Sequence, residues 1–145
     1  MEEIRIYCEN DRRYHTFPMG TDLKTISDSI YPSASLAALV NNQLKELSFK
    51  IITTNTVRFI DYDHPDGRRT YIRSLCFVLQ NVIREMYPDK VLVIDYSLPS
   101  GLYCEIREKE EMYDGRPKVY FVTDEELERI QARMKEIIDA DLPFE

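Results

Sequence analysis

The sequence predicts an α+β chain built in two parts, and three observations carry that class. Residues 1–62 alternate short β-like runs around a single helical stretch. Residues 71–145 set β-rich segments between two strongly amphipathic helical stretches. Between these parts, DYDHPDGRRT changes character, with Pro65, Asp66 and Gly67 in succession as a turn signal. The boundary is therefore expected as a linker over residues 63–70.

In the first part, IRIYCEN alternates Ile4, Ile6 and Cys8 against polar neighbours, which is the period of a half-buried strand. DRR turns it, and YHTFPMG reads as the returning strand of a hairpin. Thr21 or Asp22 can cap a short helix, DLKTISDSI, with Leu23, Ile26 and Ile30 on one face. LAALVNNQLKEL reads as a strand through Val40, a turn at Asn41-Asn42 and a second short strand. The β-branched stretch FKIITTNTVRFIDYD supplies one or two more strands. Strand, strand, helix, strand, strand within so short a chain is a β-grasp-like arrangement.

In the second part, RSLCFVLQNVIREMY reads as a helix over Arg73–Tyr87. Its stripe of Leu75, Val78, Leu79, Val82 and Met86, with Ile83 and Cys76 at the margin, is the expected core face. KVLVIDYSLPSGLYCEI reads as two strands around Pro99-Ser100-Gly101, and REKEEMYDGRPKVYFV as a charged turn followed by a strand. TDEELERIQARMKEIIDADLPFE is a second helix, with Thr123 and Glu126 as a capping box. Its apolar residues Leu127, Ile130, Met134, Ile137 and Ile138 follow helical spacing. Pro143 ends that helix, and Leu142 and Phe144 at LPFE are read as the cut end of a longer chain.

Composition excludes several functions. The 145 residues carry 19 Lys and Arg against 26 Asp and Glu, a net charge of −7, so RNA is not expected as a partner. No apolar run is long enough for a membrane span, and MEEIRIYCEN has no signal-peptide character. Cys8, Cys76 and Cys104 fit no disulfide framework, and His15 and His64 have no ligands at zinc spacing. A cytoplasmic protein with reduced thiols, no metal and no membrane partner is expected.

The chemistry expected of these residues is non-catalytic. With Gly20, Gly67, Gly101 and Gly115 as the only glycines, no phosphate-binding glycine loop can be written. No nucleophile elbow occurs, and the acidic runs EKEEM and DEELE read as solvated surface. One face of the Arg73–Tyr87 helix stands apart. Arg73, Phe77, Gln80 and Arg84 align opposite the core stripe, with an aromatic between two arginines. That face can stack on a ligand's base, or Phe77 can pack beneath another element. Arg68 and Arg69, beside Tyr71, are candidate phosphate contacts or loop residues paired with nearby acids.

These segments carry a family resemblance. The first sixty-odd residues resemble a TGS domain, a ubiquitin-like β-grasp module, with AALVNNQLKEL standing where that family has its VNG…DL turn and strand. From Arg73 the chain resembles the editing domain of threonyl- and alanyl-tRNA synthetases. RSLCFVLQNVIREMYPD is similar to that family's HSxxHLLxxAxxxLxPD helix and SLPSGLYCEI to its NGFYYDF turn. The resemblance implies a TGS-like domain over 1–62 and a partial editing-like α+β domain over 71–145, truncated at its C-terminus. It also puts the family's HxxxH pair on Arg73 and Phe77, and its second tyrosine on Cys104, so the editing chemistry is implied to be lost. The domain order is similar to the front of long nucleoside kinases of the uridine kinase type. That likeness implies a regulatory or ligand-binding module, possessing no cofactor of its own and open to a nucleotide or small molecule. A downstream P-loop kinase domain using ATP and magnesium to phosphorylate a nucleoside would be its partner. The alternative is an RNA-binding accessory region of a threonyl-tRNA synthetase-like protein with a lost editing site.

Overall fold

The structure is a computed structural model that describes residues 2–31 and 34–143, apart from the side chain of Glu111. Phe144, read above as part of a cut end, lies outside the described residues. The chain is α+β and divides into two compact units, Met1–Arg73 and Ser74–Glu145. Among the described residues no helix is long and apolar enough to cross a membrane.

The first unit is a β-grasp. Strands β1 (Glu3–Cys8) and β2 (Arg13–Pro18) form the expected antiparallel hairpin, Tyr7 opposite Tyr14. After β3 (Thr21–Asp22) comes helix α1 (Leu23–Ile30), capped by Asp22, whose carboxylate accepts the Thr25 N–H at 2.8 Å. That bond holds the Asp22 carboxyl below the usual range. Strands β4 (Ala37–Val40), β5 (Gln43–Lys45), β6 (Lys50–Ile51) and β7 (Asn55–Ile60) follow. The main sheet runs β2-β1-β7-β4-β5, with β1 and β7 parallel, and β3 pairs with β6 apart from it.

Alternation decides which residues enter this core. Ile4, Ile6 and Cys8 of β1 face Leu23 and Ile26 of α1, joined by Ala38, Val40, Ile51, Val57 and Phe59. Each large aliphatic side chain so buried contributes about 1.5–3 kcal/mol. The β4–β5 turn is Asn41-Asn42, both at positive φ (49° and 65°), the geometry of a two-residue hairpin turn that asparagine tolerates. At the far end of β1, the Asn10 side chain takes the place of a strand residue. Its amide donates to the Phe59 carbonyl at 2.9 Å and accepts the Phe59 N–H at 2.8 Å.

Helix α2 spans Pro65–Met86, so it begins eight residues before the Arg73 start expected from sequence. The segment expected as a linker therefore supplies the first turns of the helix. Proline at the first helical position loses no hydrogen bond there, and His64 Nδ1 accepts the Asp66 N–H at 3.1 Å as a cap. Gly67 is buried, and a Cβ there would stand 1.8 Å from the Asp61 carbonyl oxygen, so only glycine fits this backbone approach. The turn signal was a helix start.

The second unit sets the later part of α2 and helix α3 (Asp124–Asp139) with an antiparallel sheet β10-β9-β8. These strands are β8 (Lys90–Leu98), β9 (Gly101–Tyr113) and β10 (Arg116–Tyr120). The expected charged turn is instead a long strand: β9 runs through REKEEMY, and the reversal is confined to Asp114-Gly115, both at positive φ. Val82, Ile83, Ile106 and Ile130 form the core, flanked by Leu79, Met86, Leu92, Tyr120, Met134 and Ile137. Ile83, placed at the margin by its wheel position, is fully buried, whereas Leu127 and Ile138 of α3 are about half exposed. The capping box is present: Thr123 Oγ1 accepts the Glu126 N–H at 3.2 Å and Glu126 accepts the Thr123 N–H at 2.9 Å.

Candidate functional site

Helix α2 carries the residues singled out by sequence. Arg73, Gln80 and Arg84 are exposed, and Phe77 is 41% exposed. Helical spacing puts them on the side away from buried Val82, with Ile83 on the flank, so an exposed stripe and a core stripe coexist on one element. Arg73 belongs to the first unit and Phe77, Gln80 and Arg84 to the second. The helix is locally basic: Arg68, Arg69, Arg73 and Arg84 stand against Asp66 and Glu85 within Pro65–Met86.

The two candidate phosphate contacts have local partners. Arg69 Nη1 bonds Asp66 Oδ1 at 2.9 Å, one helical turn away. The Arg68 guanidinium lies 5.4 Å from the centre of the Tyr62 ring, which meets Tyr71 edge-on at 5.2 Å. Both arginines remain exposed. A shallow cavity of about 320 Å³ in the first unit is lined by Asn10, Tyr31, Arg58, Asp61, Asp63 and His64 among others. Its carboxylates make it unsuited to an anion.

The histidines and cysteines have local partners. His15, which has no metal-ligand spacing, pairs with Asp11 at 2.7 Å, and Cys8 is close by in sequence. Cys8 is fully buried, burial pushes its thiol up, and its Sγ donates to Asn10 Oδ1 at 3.7 Å. A buried thiol kept protonated is a poor nucleophile. Burial also raises Asp11, but the bonds from His15 and from the Arg13 N–H outweigh it and hold the carboxyl low. Among the described residues no group of three or more His, Cys, Asp or Glu could hold a metal ion.

One cluster was not visible in the sequence. Glu126 Oε1 accepts the Tyr120 hydroxyl at 2.7 Å and the Tyr87 hydroxyl at 3.1 Å, while its other oxygen caps α3. The Thr123 N–H, with these phenols, pulls the Glu126 carboxyl down to about 2. The bond to Glu126 raises Tyr120, and burial ahead of that bond raises Tyr87. Both of its oxygens accept internal hydrogen bonds, so the cluster fastens α3 to the sheet. Cys104, on β9, is raised by burial first and by the nearby Cys76 of α2 second. The three thiols are free.

Comparison with known proteins yields no matching family model. Curated relatives do match. The chain is 32% identical over 121 residues to a threonine–tRNA ligase of Hyphomonas neptunium, covering 83% of this chain and 17% of that protein. A threonine–tRNA ligase of Acetivibrio thermocellus is 29% identical over 129 residues, 87% of this chain and 19% of its own length. That of Syntrophomonas wolfei is 25% identical over 147 aligned positions, 99% of this chain and 21% of its own. The chain thus spans about a fifth of the length of the relatives it matches. These matches correct the nucleoside kinase reading and its uridine kinase parent: the relatives are named as tRNA ligases. They also remove the expected downstream kinase domain as partner, and the exclusion of RNA that rested on net charge alone. The chain is similar, over nearly all its length, to part of the threonine–tRNA ligases.

Proposed function

We propose that this chain is an RNA-binding accessory region of a threonyl-tRNA synthetase-like protein whose editing site has been lost. One observation carries the reading: its relatives named threonine–tRNA ligase align across up to 99% of the chain, through both units. In this reading residues 1–62 are the TGS-like domain and 71–145 an editing-like domain. Helix α2 starts at Pro65, inside the stretch read as a linker.

Arg73 and Phe77 stand where the resemblance puts a histidine pair, and neither can ligate a metal or serve as a base near neutral pH. What they retain is binding chemistry. Phe77, Gln80 and Arg84 expose an aromatic ring, an amide and a guanidinium on successive turns of α2. Such groups contact phosphate and stack on bases. Net charge does not oppose this, because affinity for RNA follows the local count of cations at the contact. A cytoplasmic setting belongs to this reading.

Fluorescence anisotropy of the 145-residue chain with labelled tRNA at low and moderate salt tests this reading. Saturable binding that weakens as salt rises is expected, together with no deacylation of mischarged tRNA. Deacylation by the isolated chain would refute the lost editing site; an absence of binding at low salt would refute the RNA role.

A further inference from the structure

The first unit carries a groove, far in sequence from α2, that opens between the Asn41-Asn42 turn and residues 49–55. It encloses about 260 Å³, and its lining includes Lys45 and Lys50 but no carboxylate. Among the described residues neither ammonium is held in an ion pair, although four other lysine pairings occur. The acid opposite Lys50 across the β3–β6 pair is Asp22, which caps α1 and also feels the Lys50 charge without forming an ion pair with it. Lys45 Nζ lies 5.0 Å from the centre of the Phe49 ring, which holds it at the groove wall.

The rest of the groove suits a strand of nucleotides. Ile52 is 63% exposed, an apolar surface beside two cations. The rim is fixed by amides: Asn41 Nδ2 donates to Asn55 Oδ1 at 2.6 Å, and Asn41 Oδ1 accepts the Thr56 N–H at 2.9 Å. On a chain of net charge −7, two lysines around a fixed rim whose lining holds no carboxylate make this spot locally cationic. A phosphate group answers the lysines, and an adjoining sugar or base answers Ile52 and the edge of Phe49.

We infer that this groove binds the phosphodiester backbone of an RNA strand, with Lys45 and Lys50 each neutralising a phosphate. The inference rests on the RNA-binding reading above and adds a second contact surface to it.

The test is tRNA anisotropy across a salt series with the whole 145-residue chain. Lys45→Glu/Lys50→Glu and the milder Lys45→Gln/Lys50→Gln are compared with a control of equal charge change, Arg116→Glu/Lys135→Glu. Far-UV circular dichroism confirms that each folds. Loss of two phosphate contacts predicts about a tenfold weaker affinity and a log–log salt slope shallower by about 1.4 for both groove variants. The control should lose less than the Glu pair and keep its slope. If wild type binds tRNA and the groove variants match the control, the inference is overturned while the RNA reading stands. If wild type binds no tRNA, both fall. Saturable binding of inorganic phosphate that tRNA does not displace would overturn the RNA assignment in favour of a free anion.

Discussion

Gly67 shows how a single residue can be read correctly as special and wrongly as to reason. In sequence it completes a Pro-Asp-Gly turn signal; in the fold it is the third residue of α2, pressed against the Asp61 carbonyl. Helix propensity alone would favour Gly67→Ala by about 0.8–1.0 kcal/mol. A Cβ 1.8 Å from a backbone oxygen reverses that sign, because backbone must move. Gly67→Ala is expected to destabilise by about 1–3 kcal/mol, as overpacked sites do, measurable as a lower urea midpoint. An unchanged or raised midpoint would show that the helix start can shift freely. Asn10, Asn41 and Asn42 mark the other residue-scale lesson. The turn at Asn41-Asn42 was legible because positive φ at two successive positions selects such residues. Asn10 bonding both backbone groups of Phe59 spans 49 residues of sequence and leaves no local pattern.

At the scale of elements, local signals served best where chemistry and geometry are sequence neighbours. The α3 capping box needs Thr123 and Glu126 three apart, and it forms as read. Thr123→Ala is expected to cost about 0.5–2 kcal/mol, seen in thermal or urea unfolding. Glu126 adds a pH signature. Its folded carboxyl lies at about 2, below an ordinary 4.5. The stabilisation it gives is full above about pH 4.5 and is lost as pH falls through about 2. Melts between pH 5 and 2 should therefore show a steeper acid loss in wild type than in Glu126→Gln; parallel losses would mean the phenol contacts carry no charge-dependent stability. The tyrosines of that cluster come from 39 and 6 residues away, which is why the sequence showed only the box. Strand β9 was missed for a different reason. REKEEMY has the composition of a solvated turn, and only the Asp114-Gly115 pair fixes where the chain reverses.

For the whole molecule, the α+β class was legible from hydrophobic periodicity, and the start of α2 at Pro65, inside the stretch read as a linker, was not. The α2 face was legible too. Arg73, Phe77, Gln80 and Arg84 are exposed, opposite buried Val82. The groove with Lys45 and Lys50 was not, because strand pairing brings its walls together from residues 40 to 55. Net charge misled most. A value of −7 averages a basic helix and an acid-free groove with acidic runs such as DEELE elsewhere. If α2 contacts RNA, Arg73→Ala and Arg84→Ala should each weaken tRNA binding about threefold and lessen the salt slope by about 0.7–0.9. Thermal stability should barely change, since both side chains are exposed.

The most direct test of the central claim is the affinity of the unmodified 145-residue chain for tRNA in low salt, repeated as salt is raised. Saturable binding with a negative log–log salt slope is predicted, and it would place this acidic chain among RNA-binding modules through its local cations. No binding at the lowest salt, with the chain shown to be folded, would contradict the account.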